Sequence, residues 1–317
     1  MKKPTQRDTN PYRFSDSNKR YQTFDYYARS RFGKKCAKIP LDAGLSCPNI
    51  ENAGSGCIYC LGGSSAAVGE TLTEQYERGV SALGSKWHDF ARIPYLQAHT
   101  NTFAPVPRLR EIYKEAAALD GAVMLAIATR ADCLGDDVCA LLREVSESVP
   151  LLVELGLQTS CDRTAVLIGR GHSSADFVRG YERLRSVGGD IAVCIHLING
   201  LPGESRREIL DSAEFCTALA PDMVKLHLLH VLDGTPLADM YRRGEYVPME
   251  MNDYVETVAD QIERMPERTV IARLTGDGIA SALLAPDWSR RKVAVINKID
   301  RTLYERGTYQ GCRYSEK

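Results

Sequence analysis

Ile191-Ala-Val-Cys-Ile-His-Leu-Ile198, then a helical stretch from Ser205 to Leu219, then Met223-Val-Lys-Leu-His-Leu-Leu229: this segment reads as strand, helix, strand. Both outer runs are short, apolar and bounded by polar, Gly or Pro punctuation. The stretch between them carries apolar residues at three- and four-residue spacing, which gives a helix one buried face. The same unit recurs upstream. Ala37–Leu41, Ile93–His99, Val123–Thr129 and Leu151–Gly156 read as strands. Leu72–Leu83, Leu109–Leu119, Asp136–Val145 and Ser174–Val187 read as helices, with Asp136 and Ser174 as expected N-caps. A further helix is expected near Asn252–Arg264. Strand followed by helix, about six times over, requires a parallel sheet with right-handed crossovers and helices outside. The count falls short of the eight units of a closed barrel. The expected fold is therefore α/β, an open or partial barrel of parallel strands.

The two flanks break this rhythm. Residues 1–35 read as an N-terminal extension, polar but rich in aromatics (Tyr12, Phe14, Tyr21, Phe24, Tyr26, Tyr27, Phe32), expected to pack on the main domain or to order on a partner. Residues 36–265 form the expected partial barrel. Residues 266–317 read as a small C-terminal cap, with a strand near Val270–Leu274 and a helix near Arg290–Glu305.

The 317 residues suffice for one large α/β domain or two ordinary ones, and 44% hydrophobic residues fit a globular protein. A net charge of −1 announces no general affinity for polyanions, although a local basic patch fits inside a balanced total. The opening MKKPTQRDTN lacks the apolar region of a secretory signal, and no apolar run is long enough to span a bilayer. A cytoplasmic location with no membrane partner is the expectation. Ten cysteines in such a chain favour metal or catalytic use of the clustered ones over a disulfide framework.

The cluster is Cys47-Pro-Asn-Ile-Glu-Asn-Ala-Gly-Ser-Gly-Cys57-Ile-Tyr-Cys60, with spacing C-x9-C-x2-C just after the first strand. Gly54 and Gly56 allow the tight turns that aim three sulfurs at one point. Soft thiolates select iron–sulfur clusters or zinc. A structural zinc or an electron-transfer cluster is usually closed by a fourth protein ligand; three leave one metal position open to a substrate or cofactor. Tyr59, inside the last pair, is placed to cover such a cluster. The competing interpretation is a zinc knuckle completed by Cys36 or a distant His. Cys133 and Cys139 are too few for a second cluster, and Cys161, Cys194, Cys216 and Cys312 read as bystanders, with Cys161 beside an expected cofactor strand.

With these residues in place, the chain resembles the radical S-adenosylmethionine superfamily, in the branch similar to the catalytic subunit of elongator. More closely it resembles the bacterial family typified by YhcC and YtqA. The resemblance is carried by Asp42-Ala-Gly-Leu-Ser-Cys-Pro-Asn49, Gln97-Ala-His-Thr-Asn-Thr-Phe-Ala-Pro105, Ala128-Thr-Arg-Ala-Asp-Cys-Leu134, Glu154-Leu-Gly-Leu-Gln-Thr159, Gly169-Arg-Gly-His172, His196-Leu-Ile-Asn-Gly-Leu-Pro-Gly-Glu204, Lys225-Leu-His-Leu-Leu-His-Val231 and Arg273-Leu-Thr-Gly-Asp277. Two loops depart from the family pattern: Leu61-Gly-Gly-Ser-Ser-Ala-Ala67 after the last cysteine, and Glu51-Asn52 where members have Asp-Gly.

The resemblance implies a partial (βα)6 TIM-like barrel of parallel strands, a [4Fe-4S] cluster on Cys47, Cys57 and Cys60, and S-adenosyl-L-methionine at the C-terminal ends of the strands, the usual ligand edge of parallel sheets. It implies reductive cleavage of that cofactor to a 5′-deoxyadenosyl radical, which abstracts hydrogen from a substrate. It also implies an electron donor such as flavodoxin or ferredoxin. Gly62 and Gly63 are expected to offer carbonyls to the methionine ammonium. Thr129 and Arg130 end the third strand, where a guanidinium suits a carboxylate. Glu154 and Gln158 are polar residues in or just after an apolar strand, suited to ribose hydroxyls or the amine. His196 and Gly200 lie on the fifth strand and its glycine loop, near the adenine. Lys225 and His227 share one face of the sixth strand and are the expected catalytic pair, for substrate contact or proton transfer. Asn101, Thr102, Arg273 and Asp277 are further candidates for the cavity wall.

The branch points to the C5 side chain of the wobble uridine of tRNA as substrate. Lys19, Arg20, Arg29, Arg31, Lys34 and Lys35 in the leader, and Arg290, Arg291, Lys292, Lys298 and Arg301 in the tail, are the residues for phosphate contact. The alternatives are radical chemistry on a small metabolite or peptide, and, from another class, a non-enzymatic zinc or iron–sulfur binding protein.

Overall fold

The computed structural model describes residues 10–54, 56–61, 70–84, 87–276 and 280–315. In chain order the elements begin with α1 (Phe24–Phe32), β1 (Cys36–Leu41), α2 (Pro48–Ala53), α3 (Leu72–Gly84), β2 (Ala91–Leu96), α4 (Val106–Ala117), β3 (Leu125–Thr129), α5 (Asp136–Val145) and β4 (Leu151–Gln158). They continue with α6 (Asp162–Leu167), α7 (Ser174–Ser186), β5 (Ile191–Asn199), α8 (Arg206–Ala218), β6 (Met223–Leu228) and β7 (Val231–Leu232). The last are α9 (Pro236–Arg242), α10 (Met251–Arg264), β8 (Val270–Arg273), β9 (Leu283–Ala285) and α11 (Lys292–Glu305). Seven strands share one parallel sheet in the order β1-β2-β3-β4-β5-β6-β8, while β7 and β9 form a separate antiparallel pair. This is the α/β partial-barrel class that the strand–helix alternation requires.

The chain divides into two compact units. One holds residues 28–157 and 169–194; the other holds the leader up to 27, residues 158–168 and everything after 194. In the first, β1 pairs with β2 in register from Cys36 opposite Ala91 to Leu41 opposite Leu96, and β3 pairs with β4 from Leu125 opposite Leu151. Leu151, Leu152, Val153 and Leu155 are all fully buried, as a parallel strand covered on both faces requires. Helix α5 turns Val138, Cys139, Leu141, Leu142 and Val145 inward. The sequence extends β2 to His99, but the strand stops at Leu96. The buried Asn101 amide takes the carbonyls of Leu96, Ala98 and Ala128 at 3.0, 2.9 and 3.0 Å, and His99 adopts a left-handed φ of 58°.

In the second unit β6 pairs with β8, Met223 opposite Val270. The strand expected in a C-terminal cap is thus the seventh strand of the sheet. The leader docks within the same unit. The Gln22 carbonyl accepts from Ile271 N at 2.8 Å, and the Tyr12 hydroxyl donates to the Glu267 carbonyl at 2.6 Å.

The N-caps differ by one residue from the sequence reading. Ser173, not Ser174, caps α7 and forms a capping box with Asp176; Gly135 precedes α5 and leaves Asp136 in its first turn. Ser205 and Glu208 form the equivalent box on α8.

Candidate functional site

Cys47 is the N-cap of α2, and Pro48 sits in the first turn, where a missing N–H costs nothing. The helix ends at Gly54, whose φ of 69° turns the chain back. Cys57 and Cys60 follow on a tight turn in which Cys60 N donates to the Cys57 carbonyl at 2.9 Å. Cys47 and Cys57 are half-buried and Cys60 is exposed. Burial pushes the Cys57 thiol up; hydrogen bonds from Tyr59 and Asn49 oppose this, and the charges of Cys60 and Cys47 add to it. Tyr59 is itself held well above the usual phenol range by burial and by Cys57 beside it. Three soft sulfurs flank one short helix and the turn after it, with Cys57 feeling the charge of the other two; such a set fits an iron–sulfur cluster with three protein ligands. Cys133 stands on the single 3-10 turn after β3, within electrostatic reach of Cys47. Burial, with Asp132 adding, pushes its thiol up to about 12.

Asn49 links the triad to the rest of its unit. Its amide nitrogen lies 3.4 Å from Cys57 Sγ and donates to the carbonyls of Gly169 and Arg170 at 2.7 and 3.2 Å. Its Oδ1 accepts from Arg130 Nη1 at 2.5 Å. Arg130, just past β3, grips Asp132 through two bonds of 2.9 and 2.8 Å and reaches Cys47 Sγ at 3.9 Å. Burial disfavours the charged guanidinium, but the Asp132 carboxylate more than offsets that and keeps it protonated. Thr129 shares a 2.6 Å hydrogen bond with Thr102. Glu154, on β4, is 1% exposed; Lys38 Nζ pairs with one of its oxygens and Tyr95 Oη donates to the other. A buried carboxylate needs such partners, and here the chain supplies them.

Gln158, His196, Gly200, Lys225 and His227 belong to the second unit. Gln158 ends β4 with a φ of 65°. Next to it, Thr159 Oγ1 donates to Glu204 at 2.5 Å, and burial pushes the Glu204 carboxyl up. Gly200 has a φ of 88°, which favours glycine, and its carbonyl accepts from Tyr246 Oη at 2.8 Å. The 200–204 loop, with Tyr246, Met249 and Asp253, borders a cavity of about 470 Å³. His196 and His227 bring their rings within 5.2 Å of each other, and Lys225 is buried on the same strand as His227. Gly276 backs this corner: a Cβ there would stand 3.3 Å from His227 Nδ1. Gly62, Gly63 and Asp277 lie outside the described residues.

Sequence reasoning missed Asn49, Lys38 and Tyr95. Asn49 carried one signal, a polar residue directly after the Cys-Pro that opens α2; Lys38 carried another, a cation inside an apolar strand.

Residues 52–216 match the family described as Radical SAM superfamily, and residues 221–305 match the Radical_SAM C-terminal domain. The protein YtqA of Bacillus subtilis is 42% identical over 308 residues, 95% of each chain. A tRNA uridine(34) acetyltransferase of Methanocaldococcus jannaschii is 30% identical over 172 residues, 51% of this chain and 30% of that protein. Among solved structures, the Elp3 of Methanocaldococcus infernus with its N-terminus deleted superposes with a TM-score of 0.64 at 19% identity, covering 88% of this chain and 64% of that one, a likeness of fold.

Proposed function

Since this chain belongs to the radical S-adenosylmethionine superfamily, whose enzymes use a [4Fe-4S] cluster and S-adenosylmethionine, we propose that it modifies the C5 side chain of tRNA wobble uridine by hydrogen-atom abstraction. Cys47, Cys57 and Cys60 would hold the cluster. Together the bound cofactors supply reductive carbon–sulfur cleavage and a hydrogen-abstracting radical. The rest falls to the chain's own residues. Arg130 and Thr129, at the C-terminal end of β3, lie at the ligand edge of a parallel sheet. Arg130 carries a fixed positive charge there, suited to a carboxylate. The 200–204 loop offers backbone groups in a conformation that glycine permits. Lys225 and His227 supply exchangeable protons on one strand. Glu154 is held within the sheet layer by Lys38 and Tyr95.

The observation that carries the substrate reading is the half-chain similarity to a tRNA uridine(34) acetyltransferase. It rests on that relative and not on a basic surface. Lys19 pairs with Asp300, Arg31 with Asp190, Lys34 with Asp89, Arg290 with Asp287 and Arg301 with Glu305. Five of the eleven cations expected to meet phosphate are thus engaged by carboxylates. The test is the nucleoside profile of bulk tRNA, by mass spectrometry, from cells with and without the gene and with a Cys57→Ala complement. Accumulation of a wobble-uridine intermediate, rescued only by the intact triad, supports the reading. An unchanged profile across growth conditions removes it and directs the search to small metabolites and peptides.

A further inference from the structure

We propose that Asn49 is a positioning residue for the iron–sulfur cluster, holding the cysteine loop in place and donating a hydrogen bond to the Cys57 sulfur. This rests on the assignment of the cluster to Cys47, Cys57 and Cys60. Asn49 is 8% exposed, and every polar atom of its side chain is engaged. Its orientation is fixed by chemistry. Arg130 has only donors, so the atom facing it is the amide oxygen; the carbonyls of Gly169 and Arg170 only accept, so the atom facing them is the amide nitrogen. That nitrogen carries two hydrogens and meets three acceptors, the third being Cys57 Sγ at 3.4 Å.

Metal ligation of Cys57 changes what this contact does. As a thiol, Cys57 lies 3.6 Å from the Gly169 carbonyl and donates to it. As a metal-bound thiolate it has no proton left and becomes an acceptor. Asn49 then lies between the thiolate and the Gly169 carbonyl, supplying a donor to both. On the other side, Arg130 brings a positive charge to Cys47 and clamps the Asn49 oxygen. Asp132 in turn fixes Arg130. Gly171 gives the room this needs: a Cβ there would stand 2.3 Å from Asn49 Oδ1 and 3.2 Å from Arg130 Nη2.

Adding one electron to the cluster adds negative charge to the sulfurs. A donor aimed at a cluster sulfur stabilises that reduced form and raises the reduction potential. Removing the donor lowers it.

The experiment is a dithionite redox titration of the reconstituted protein, followed by electron paramagnetic resonance, on wild type, Asn49→Asp and Asn49→Ala, with iron and sulfide counted in each. Asn49→Asp keeps the size and the acceptor for Arg130 but cannot donate. The expected result is a lower midpoint potential in both variants, lower in Asn49→Asp, where a carboxylate faces the sulfur. Loss of the cluster from both variants, with an unchanged thermal transition, also supports the positioning role. A full cluster at the wild-type potential overturns it, and so does unfolding of both variants, which makes Asn49 a general fold residue. Wild-type protein that binds no iron, or that fails to lose iron on Cys57→Ala, refutes the cluster assignment instead.

Discussion

Gly180 of α7 lies so close to Ala131 that a Cβ at position 180 would stand 1.9 Å from the Ala131 carbonyl oxygen. The helix therefore rests with its backbone against the turn that follows Arg130. Gly180→Ala forces the two apart. Overpacking of this kind costs about 1–3 kcal/mol. Urea unfolding of the variant is expected to show that loss, together with weaker iron retention as the turn carrying Arg130 and Asp132 shifts. Wild-type stability would mean that α7 slides without resistance.

The Lys38–Glu154 pair lies across β1 and β4 with the carboxylate out of solvent. Breaking such a pair from one side leaves a buried charge and costs about 3–5 kcal/mol. Lys38→Met is expected to fall in that range. Adding Glu154→Gln to Lys38→Met is expected to recover most of it, since Tyr95 still has an oxygen to donate to. A double variant no more stable than Lys38→Met refutes the coupling.

Arg306 gathers Glu256, Asp260 and the fully buried Glu263 at one point. Burial alone would raise the Asp260 carboxyl; Arg206 and Arg306 more than offset it and hold it below its ordinary 3.8. A lowered carboxyl contributes stability above its unfolded value and loses it as pH falls through the folded one. Arg306→Met is expected to cost about 3 kcal/mol at neutral pH. The Asp260 share of that gap should close as the solution is acidified below its ordinary 3.8. Thermal melts of both proteins across acid pH provide the check. A gap that widens on acidification contradicts the assignment.

Cys161 is half-buried at the start of α6. Burial, the largest single influence, raises its thiol, but hydrogen bonds from Thr164 and Arg163 together outweigh it and bring it below the ordinary 9.0. Cys133 and Cys139 are pushed the other way, to about 12 and about 11, by burial. The thiolate is the reactive form. Iodoacetamide near neutral pH is therefore expected to label Cys161 well before Cys133 or Cys139, as read by peptide mapping. Labelling of Cys133 first would reverse the assignment.

The strands that sequence reveals best are those buried on both faces. Leu151–Leu155 and Ala192–Ile195 are apolar runs with no competing interpretation. Strand β8 stands where the strand–helix rhythm breaks, which is why the sequence places it in a cap; its pairing with β6 spans a whole helical crossover. Helix α2 was invisible, six residues of Pro-Asn-Ile-Glu-Asn-Ala with no periodicity. The cysteine spacing was legible because its members sit within one loop. The bond from Arg130 to Asn49 joins residues 81 apart, and that from Lys38 to Glu154 residues 116 apart, so no local pattern announces either.

Asn101 meets the carbonyls of Leu96, Ala98 and Ala128 through its side chain. Its amide ties the end of β2 to the end of β3, and Tyr113 in turn donates to the Asn101 carbonyl at 2.6 Å. Strand ends normally fray first. Here the rim carrying Thr129 and Arg130 is laced shut from within, so its amides should exchange with solvent as slowly as those of the strand middles. Segments beyond that lacing are free to differ between relatives without loosening the sheet on which they stand.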